Sequence, residues 1–399
     1  MAALLAVAAL TGFVTTLDNT IIAAAAPSIG RELGLSLASL QWISIAYMLP
    51  YAGLLLPAGR LLDRFGRRRL VMAGCAVFAA GAVLGGVARS PELLLAARVV
   101  QGVAAAFVVP GTLSLIRTEL PERRRATAIA AWTAALAAAL ALGPWLGGVL
   151  AEYLHWSWIF YSNLPFAAAA LVLLARTPRE RHAPVRGSWS GLVTNRVFAG
   201  SNALVLLWGL GISGIVFFTP LAYQESLGLG PADAALPLVV VAAGVIVTTP
   251  FVPMVSRALG PRHTVALGLL VLAVGLLQLA VVHDETTMAP RLLGLVLAGV
   301  GSAATAPLTT HALDQVGTGD SGTASGVLTT TRELSSALGV ALIGAVLTAV
   351  AGNTGGAEVA TGYTAALVVA AVLQLAGAAL ALVVLRPRPE RLAVAAGRR

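Results

Sequence analysis

Gly59-Arg60-Leu61-Leu62-Asp63-Arg64-Phe65-Gly66-Arg67-Arg68-Arg69 packs five arginines and one aspartate into eleven residues. Apolar runs at roughly 40–58 and 70–88 flank it, each close to the ~20 residues that an α-helix needs to cross a bilayer core. The stretch therefore reads as a charged junction between two membrane helices. On either side of it, apolar runs alternate with short polar or Pro/Gly breaks along the whole chain. The first half holds runs at about 2–26, 40–58, 70–88, 92–116, 126–150 and 157–175. The second holds runs at about 198–223, 234–256, 263–283, 290–312, 322–350 and 361–385. The expected fold is an all-α integral membrane protein of twelve transmembrane helices.

Composition supports that reading. Of 399 residues, 58% are hydrophobic and 11% charged, and the mean hydropathy is +0.87. A soluble domain carries about a quarter charged residues, because it must present a wetted surface. The net charge of +9 and pI near 10.9 do not point to nucleic acid, since no hydrophilic stretch is long enough to build a basic face. All 26 basic residues are arginine, which leaves no lysine for a Walker A loop and so no ATP site. Cys75 alone cannot form a disulfide framework. Gly299–Ala304 fits G-x-G-x-x-A, but it lies inside an apolar run with no strand before it, and the five histidines have no metal-ligand spacing. No cofactor and no metal are expected. The run starting at Ala2 lacks a basic n-region and continues into Asp18, so it reads as a first spanning helix rather than a cleaved signal.

The arginines also set an orientation. With the N-terminus in the cytosol, the inner junctions, the central linker and the C-terminal tail hold 21 of the 26, and the outer loops hold three, Arg31, Arg89 and Arg291. Such asymmetry marks the cytosolic side. Both termini are expected there, in the cell's inner (plasma) membrane. The polar stretch 176–197 divides an N-terminal six-helix bundle, 1–175, from a C-terminal one, 198–385, with a cytoplasmic tail at 386–399. The halves are faintly alike. Gly66 after the second run matches Gly260 after the eighth, and Gly102 and Gly299 each precede a proline, Pro110 and Pro307, by the same distance. Parallel six-helix repeats are an arrangement found in secondary transporters.

The chain resembles the major facilitator superfamily, and within it the drug:proton antiporters, over nearly its whole length. The stretch 59–69 is similar to the superfamily's G-x-L-x-D-R-x-G-R-[RK]-[RK] signature. The resemblance makes Gly59, Asp63, Arg64, Gly66, Arg67 and Arg68 a cytoplasmic gate, in which a carboxylate among guanidiniums latches one conformation. The plainer reading is a loop that only enforces topology. Leu17-Asp18-Asn19-Thr20-Ile21-Ile22 through Ala26-Pro27 resembles the helix 1 motif of the same exporters. A carboxylate inside a membrane helix is costly and is a functional candidate by default, here for binding a proton. The alternative is a hydrogen-bonded structural group near the outer helix end.

Arg98-Val99-Val100-Gln101-Gly102 resembles the R-x-x-Q-G motif linked to proton coupling. A guanidinium stays charged in the membrane and needs a partner, so Arg98 is expected either to act on a nearby acid or to tether helices 1 and 4. Gly143-Pro144-Trp145-Leu146-Gly147-Gly148 resembles the antiporter signature G-P-x-x-G-G, with alanines at 135 and 139 where the family has glycines. Small residues let helices approach closely, and generic packing is the plain alternative. His155 to Pro165 resembles a segment entering helix 6, with Ser157 where an arginine is usual, and reads as an interfacial aromatic belt. Tyr223-Gln224 resembles the family's helix 7 ending and reads as structural.

Gln41, Trp42, Tyr47, Gln101, Trp132 and Arg332 are the residues expected to face the substrate cavity. Glu333, where the family often has glutamine, is either a second proton or cation site or a solvated residue near the cytosol. Adjacent residues on a helix diverge by about 100°, so Arg332 and Glu333 are not expected to face one spot. The resemblance implies an antiporter, not an enzyme, that exports small amphipathic compounds against protons as a monomer, with the lipid bilayer its only other partner. The alternatives are an importing symporter and a non-transporting membrane sensor. One departure is clear: the helix 1 motif is commonest in a branch with two extra helices between the halves, and a linker of about twenty residues has no room for them.

Overall fold

In the computed structural model the described residues are 2–177, 196–282, 287–303, 308, 311–312, 321–352 and 357–385. Most of the expected linker (178–195), the tail (386–399), Pro307 and the side chain of Asp63 lie outside them. The described residues form helices and short turns, without a strand. In lipid, a helix satisfies its own backbone polar groups, which a lone strand cannot do.

The first six long helices are α1 (Ala2–Leu33), α2 (Trp42–Phe65), α3 (Arg67–Gly86), α4 (Pro91–Glu119), α5 (Glu122–Tyr153) and α6 (Leu164–Ala175). The second six are α7 (Arg196–Leu227), α8 (Pro231–Thr248), α9 (Val252–Val281), α10 (Leu292–Ala303), α11 (Ser321–Ala351) and α12 (Ala357–Val384). Among the described residues ten spans are long and apolar enough to cross a membrane; one of them, Pro231–Val281, runs 51 residues through a break at Gly260, enough for two crossings. The shorter apolar helix Ala289–Ala303 completes the twelve.

Several helices outrun the sequence expectation. The first continues past Pro27 to Leu33, because a membrane helix tolerates proline when neighbouring groups take up the freed carbonyl. Gly66 and Gly260, the matching glycines of the two junctions, both adopt positive φ, 95° and 80°. A side chain at either position would be strained, so the sequence match marks the same sharp turn in each half.

Packing repeats with a period of six helices. In the first half α1 lies against α5 and α6, α4 against α2 and α3, and α3 against α6. In the second, α7 lies against α11 and α12, α10 against α8 and α9, and α9 against α12. Across the middle α5 meets α8, α2 meets α11, and α1 meets α7, which is the pattern of a two-fold axis along the membrane normal.

Candidate proton and substrate sites

Asp18 sits at the midpoint of α1, roughly 24 Å from either end at 1.5 Å per residue. It is not near the outer helix end, and it is 1% exposed. Its Oδ2 accepts from Arg98 Nη1 at 2.5 Å. Its Oδ1 accepts from Gln101 Nε2 at 2.8 Å and from Asn163 Nδ2 at 2.6 Å. Arg98 and Gln101 share one face of α4 because they stand three residues apart, and Nη1 also donates to Gln101 Oε1 at 2.8 Å. Arg98 Nε donates to the Ile43 carbonyl at 3.0 Å. Its guanidinium carbon lies 4.5 Å from the centroid of the Tyr47 ring, a cation–π contact that holds charge without water. The Tyr47 hydroxyl donates to the Thr15 carbonyl, back on α1. Asp18, Arg98, Gln101, Tyr47 and Asn163 thus form one dry cluster joining α1, α2, α4 and α6. Burying opposite charges is tolerable only with such paired hydrogen bonds.

The sequence placed Asp18 and Arg98 among the proton-coupling candidates without pairing them, and it gave no role to Asn163. That asparagine lies in the aromatic segment read as an interfacial belt; its signal was an amide inside an apolar run, fully buried here.

A cavity of about 470 Å³ lies between the two halves, lined from α1, α2, α5, α7, α8, α10 and α11. Asn19 and Thr20, the residues after Asp18, line it, and Asp18 does not. Of the six residues expected there, only Arg332 is in the wall. Tyr47 and Gln101 are consumed by the Asp18 cluster. Trp42 is 50% exposed at the start of α2, and Gln41 is packed beside Gly344 of α11. Trp132 packs against Gly12 of α1. Trp208 supplies an aromatic wall that the motifs gave no reason to choose.

Arg332 and Glu333 correct a second expectation. Although their backbone directions diverge, the long arginine folds back, and Nη2 donates to Glu333 Oε1 at 3.2 Å. Glu333 is 8% exposed, so it is not a solvated residue.

The glycines of α5 have separate neighbours. A Cβ at Gly143 would strike the Thr20 hydroxyl, and one at Gly147 the Ile21 carbonyl, so these positions seat α5 directly on α1 beside Asp18. A Cβ at Gly148 would strike the Pro231 carbonyl at the start of α8, in the other half. One turn further, Glu152 accepts from the Ala232 N–H at 2.9 Å, a carboxylate on a helix N-terminus. Gln224 Nε2 donates to the Ala24 carbonyl across α7 and α1 at 3.2 Å. These contacts seal one end of the cavity. Its remaining wall, out to Thr249 and Ser325, runs toward the arginine-rich end.

At that end Arg68 bonds within its own half. It donates to the Leu174 carbonyl at 2.9 Å, the Ala175 carbonyl at 3.0 Å and Thr177 Oγ1 at 3.2 Å, capping the C-terminus of α6. Arg64 is exposed over the Phe65 ring, Arg67 is buried, and a Cβ on Gly59 would meet open space.

The Major Facilitator Superfamily pattern matches residues 8–340. The chain belongs to the major facilitator superfamily. A cephamycin export protein of Amycolatopsis lactamdurans is 32% identical, over 92% of this chain and 89% of its own. A puromycin resistance protein of Streptomyces alboniger is 30% identical, over 94% and 89%. Among solved structures, a bacterial homologue of the human lysosomal transporter Spinster, inward-facing and occupied, aligns with a TM-score of 0.78 over 95% of this chain and 96% of that one, at 18% identity. A D-xylose–proton symporter aligns at 0.73 over 93% and 96%, at 16% identity. Superfamily membership makes this a multi-pass membrane protein among transporters, and the two structural likenesses, at these identities, speak to fold alone.

Proposed function

We propose that this superfamily member is a proton-coupled antiporter that exports small amphipathic organic compounds by alternating access, with the arginine-rich end in the cytosol. The observation that carries the proposal is the placement of Asp18. Its carboxylate is held by Arg98, Gln101 and Asn163, while the next two residues of the same helix line the cavity. A proton on Asp18 removes the charge that draws those donors in, which loosens α1 from α4 and α6. Loosening α1 moves Asn19 and Thr20 in the cavity wall, so proton and cargo act on one helix. The seating of α5 on α1 through Gly143 and Gly147 passes the shift to the α5–α8 contact at Gly148. The identities of relatives named as cephamycin export and puromycin resistance proteins support the outward direction.

The driving force is sufficient. One charge gains roughly 2.3 kcal/mol per 100 mV, so a proton crossing ~150 mV sustains a gradient of a few hundred-fold at 1.4 kcal/mol per tenfold. The Arg68 cap on α6 supports a stiff first bundle that tilts as a unit over 2–177, against a second over 196–385.

Inside-out vesicles test the proposal. With the lumen acidified, the protein should accumulate drug-like substrates that protect cells expressing it, and accumulation should stop when the proton gradient is collapsed. Loss of substrate from acidified vesicles would instead indicate an importing symporter. No movement in either direction would indicate a non-transporting protein.

A further inference from the structure

We propose that the exported compound is an anion, an apolar body bearing a carboxylate or similar acid group, and that Arg332 is its counter-ion. The inference rests on reading the 470 Å³ cavity as the substrate site and names what the site selects.

Among the described residues that line the cavity, Arg332 is the one with a charged side chain, and none is a carboxylate. The rest of the wall is aliphatic or aromatic, as in Val205, Ile212 and Phe217, or carries neutral hydrogen-bonding groups, as in Asn19, Ser44 and Ser336. Half of the Arg332 side chain (51%) is accessible, whereas that of Glu333, its ion-pair partner, is only 10% accessible and is not in the wall. Glu333 meets a single guanidinium nitrogen. Among the described residues nothing occupies the rest of the fork, which matches a carboxylate with two parallel hydrogen bonds.

The cavity also holds unspent polar capacity. Ser44 Oγ and Trp208 Nε1, on two residues of the wall, have no hydrogen-bond partner. Ser44 is 1% exposed, and the indole N–H can only donate. Buried groups of this kind ordinarily find a partner, and a bound ligand with oxygen atoms provides one. A cation would meet Arg332 with no carboxylate among the described residues of the wall to offset the repulsion. Asp18 offers no such offset, because its oxygens are engaged by Arg98, Gln101 and Asn163 outside the wall. When the cavity is empty, Glu333 keeps Arg332 compensated; an incoming anion takes over the accessible side of the guanidinium.

The test compares three matched series of aryl-alkyl compounds, graded in size up to the cavity volume and carrying a carboxylate, a carboxamide or a trimethylammonium group. Binding is read as a shift in Tm of the purified full-length chain in detergent, which avoids differences in membrane permeability. Carboxylates should stabilise the wild type more than the other two series. Their Kd should rise at least tenfold in Arg332→Gln and less in Arg332→Lys, each shift being read against the variant's own unliganded Tm. Equal or stronger stabilisation by amides or ammonium compounds, no stabilisation by carboxylates, or an unchanged Kd in Arg332→Gln would overturn the proposal. If the variants do not fold, the ranking of the three series on the wild type still decides it. Export of a cation from vesicles would leave the antiporter reading standing and remove the anion, so the two failures are distinguishable.

Discussion

Asn163, the residue just before α6, donates from Nδ2 to Asp18 Oδ1 of α1 at 2.6 Å, and both side chains are almost wholly buried. The bond ties the end of the first bundle to its beginning, and it sits on the carboxylate proposed to carry the proton. A hydrogen bond to a charged group is worth about 1.5–3 kcal/mol. Asn163→Leu should therefore lower proton-driven transport by at least tenfold. Substrate exchange at equal pH on both sides of the membrane should fall much less, because it requires no proton step. Equal loss of both would make Asn163 a packing residue only.

Asp18→Asn keeps the size of the side chain and removes its charge. The Arg98 guanidinium then remains on the Tyr47 face and the Ile43 carbonyl, so α4 stays joined to α2 while α1 is held as in the protonated state. Cells expressing the variant should lose protection while membrane insertion, measured by surface labelling, stays at the wild-type level. Unchanged protection would remove Asp18 from the mechanism.

The difference between Asp18 and Asn163 shows where the sequence was informative. An aspartate or an arginine in an apolar run is conspicuous because charge in lipid is costly, so Asp18 and Arg98 could be picked out without a structure. A buried asparagine among tryptophans and a proline is not, because the same residues also make an ordinary interfacial belt. Twelve helices followed from hydropathy alone, and Gly66 and Gly260 marked matching turns before their φ angles were known. Helix ends were less legible: the apolar run breaks at Pro27, yet α1 continues to Leu33, which puts Asp18 at mid-helix. The cavity wall was least legible of all. Tyr47 and Gln101 face a charge cluster rather than a ligand, a distinction that depends on helix rotation and that no spacing rule supplies. Arg332 and Glu333 paired against the 100° rule because an arginine side chain is long enough to fold back.

Arg68 offers a test of the junction. Three of its bonds run to the end of α6 within the same half, so Arg68→Ala should cost roughly 1–2 kcal/mol of stability. A Tm lower by a few degrees in detergent is the expected reading, with Arg68→Lys intermediate because an ammonium cannot fork onto two carbonyls. An unchanged Tm with lost transport would instead place Arg68 in the gate.

Gly147 faces the Ile21 carbonyl with no room for a methyl group. Gly147→Val should force α5 off α1 beside Asp18, at about the 1–3 kcal/mol typical of overpacking. The expected result is a correctly inserted protein of lower Tm that transports nothing. Wild-type transport by Gly147→Val would show that the close approach of α5 and α1 is dispensable.

Glu152 bridges the halves at the sealed end, accepting from the first free N–H groups of α8 through Ala232. Where two bundles rock about a central cavity, a contact made in one orientation alone sets the balance between the two. A carboxylate at a helix N-terminus is worth about 0.3–1 kcal/mol when exposed, so Glu152→Gln should shift that balance by roughly two- to fivefold. The shift is read by placing a single cysteine at Leu229, with Cys75 replaced by serine, and labelling it from the side opposite the arginine-rich junctions. Faster labelling in the Glu152→Gln background is expected, because the seal at Gly148 and Pro231 opens more often. Slower labelling, or no change, would mean that Glu152 only caps α8 and that Gly148 packing alone holds the end closed.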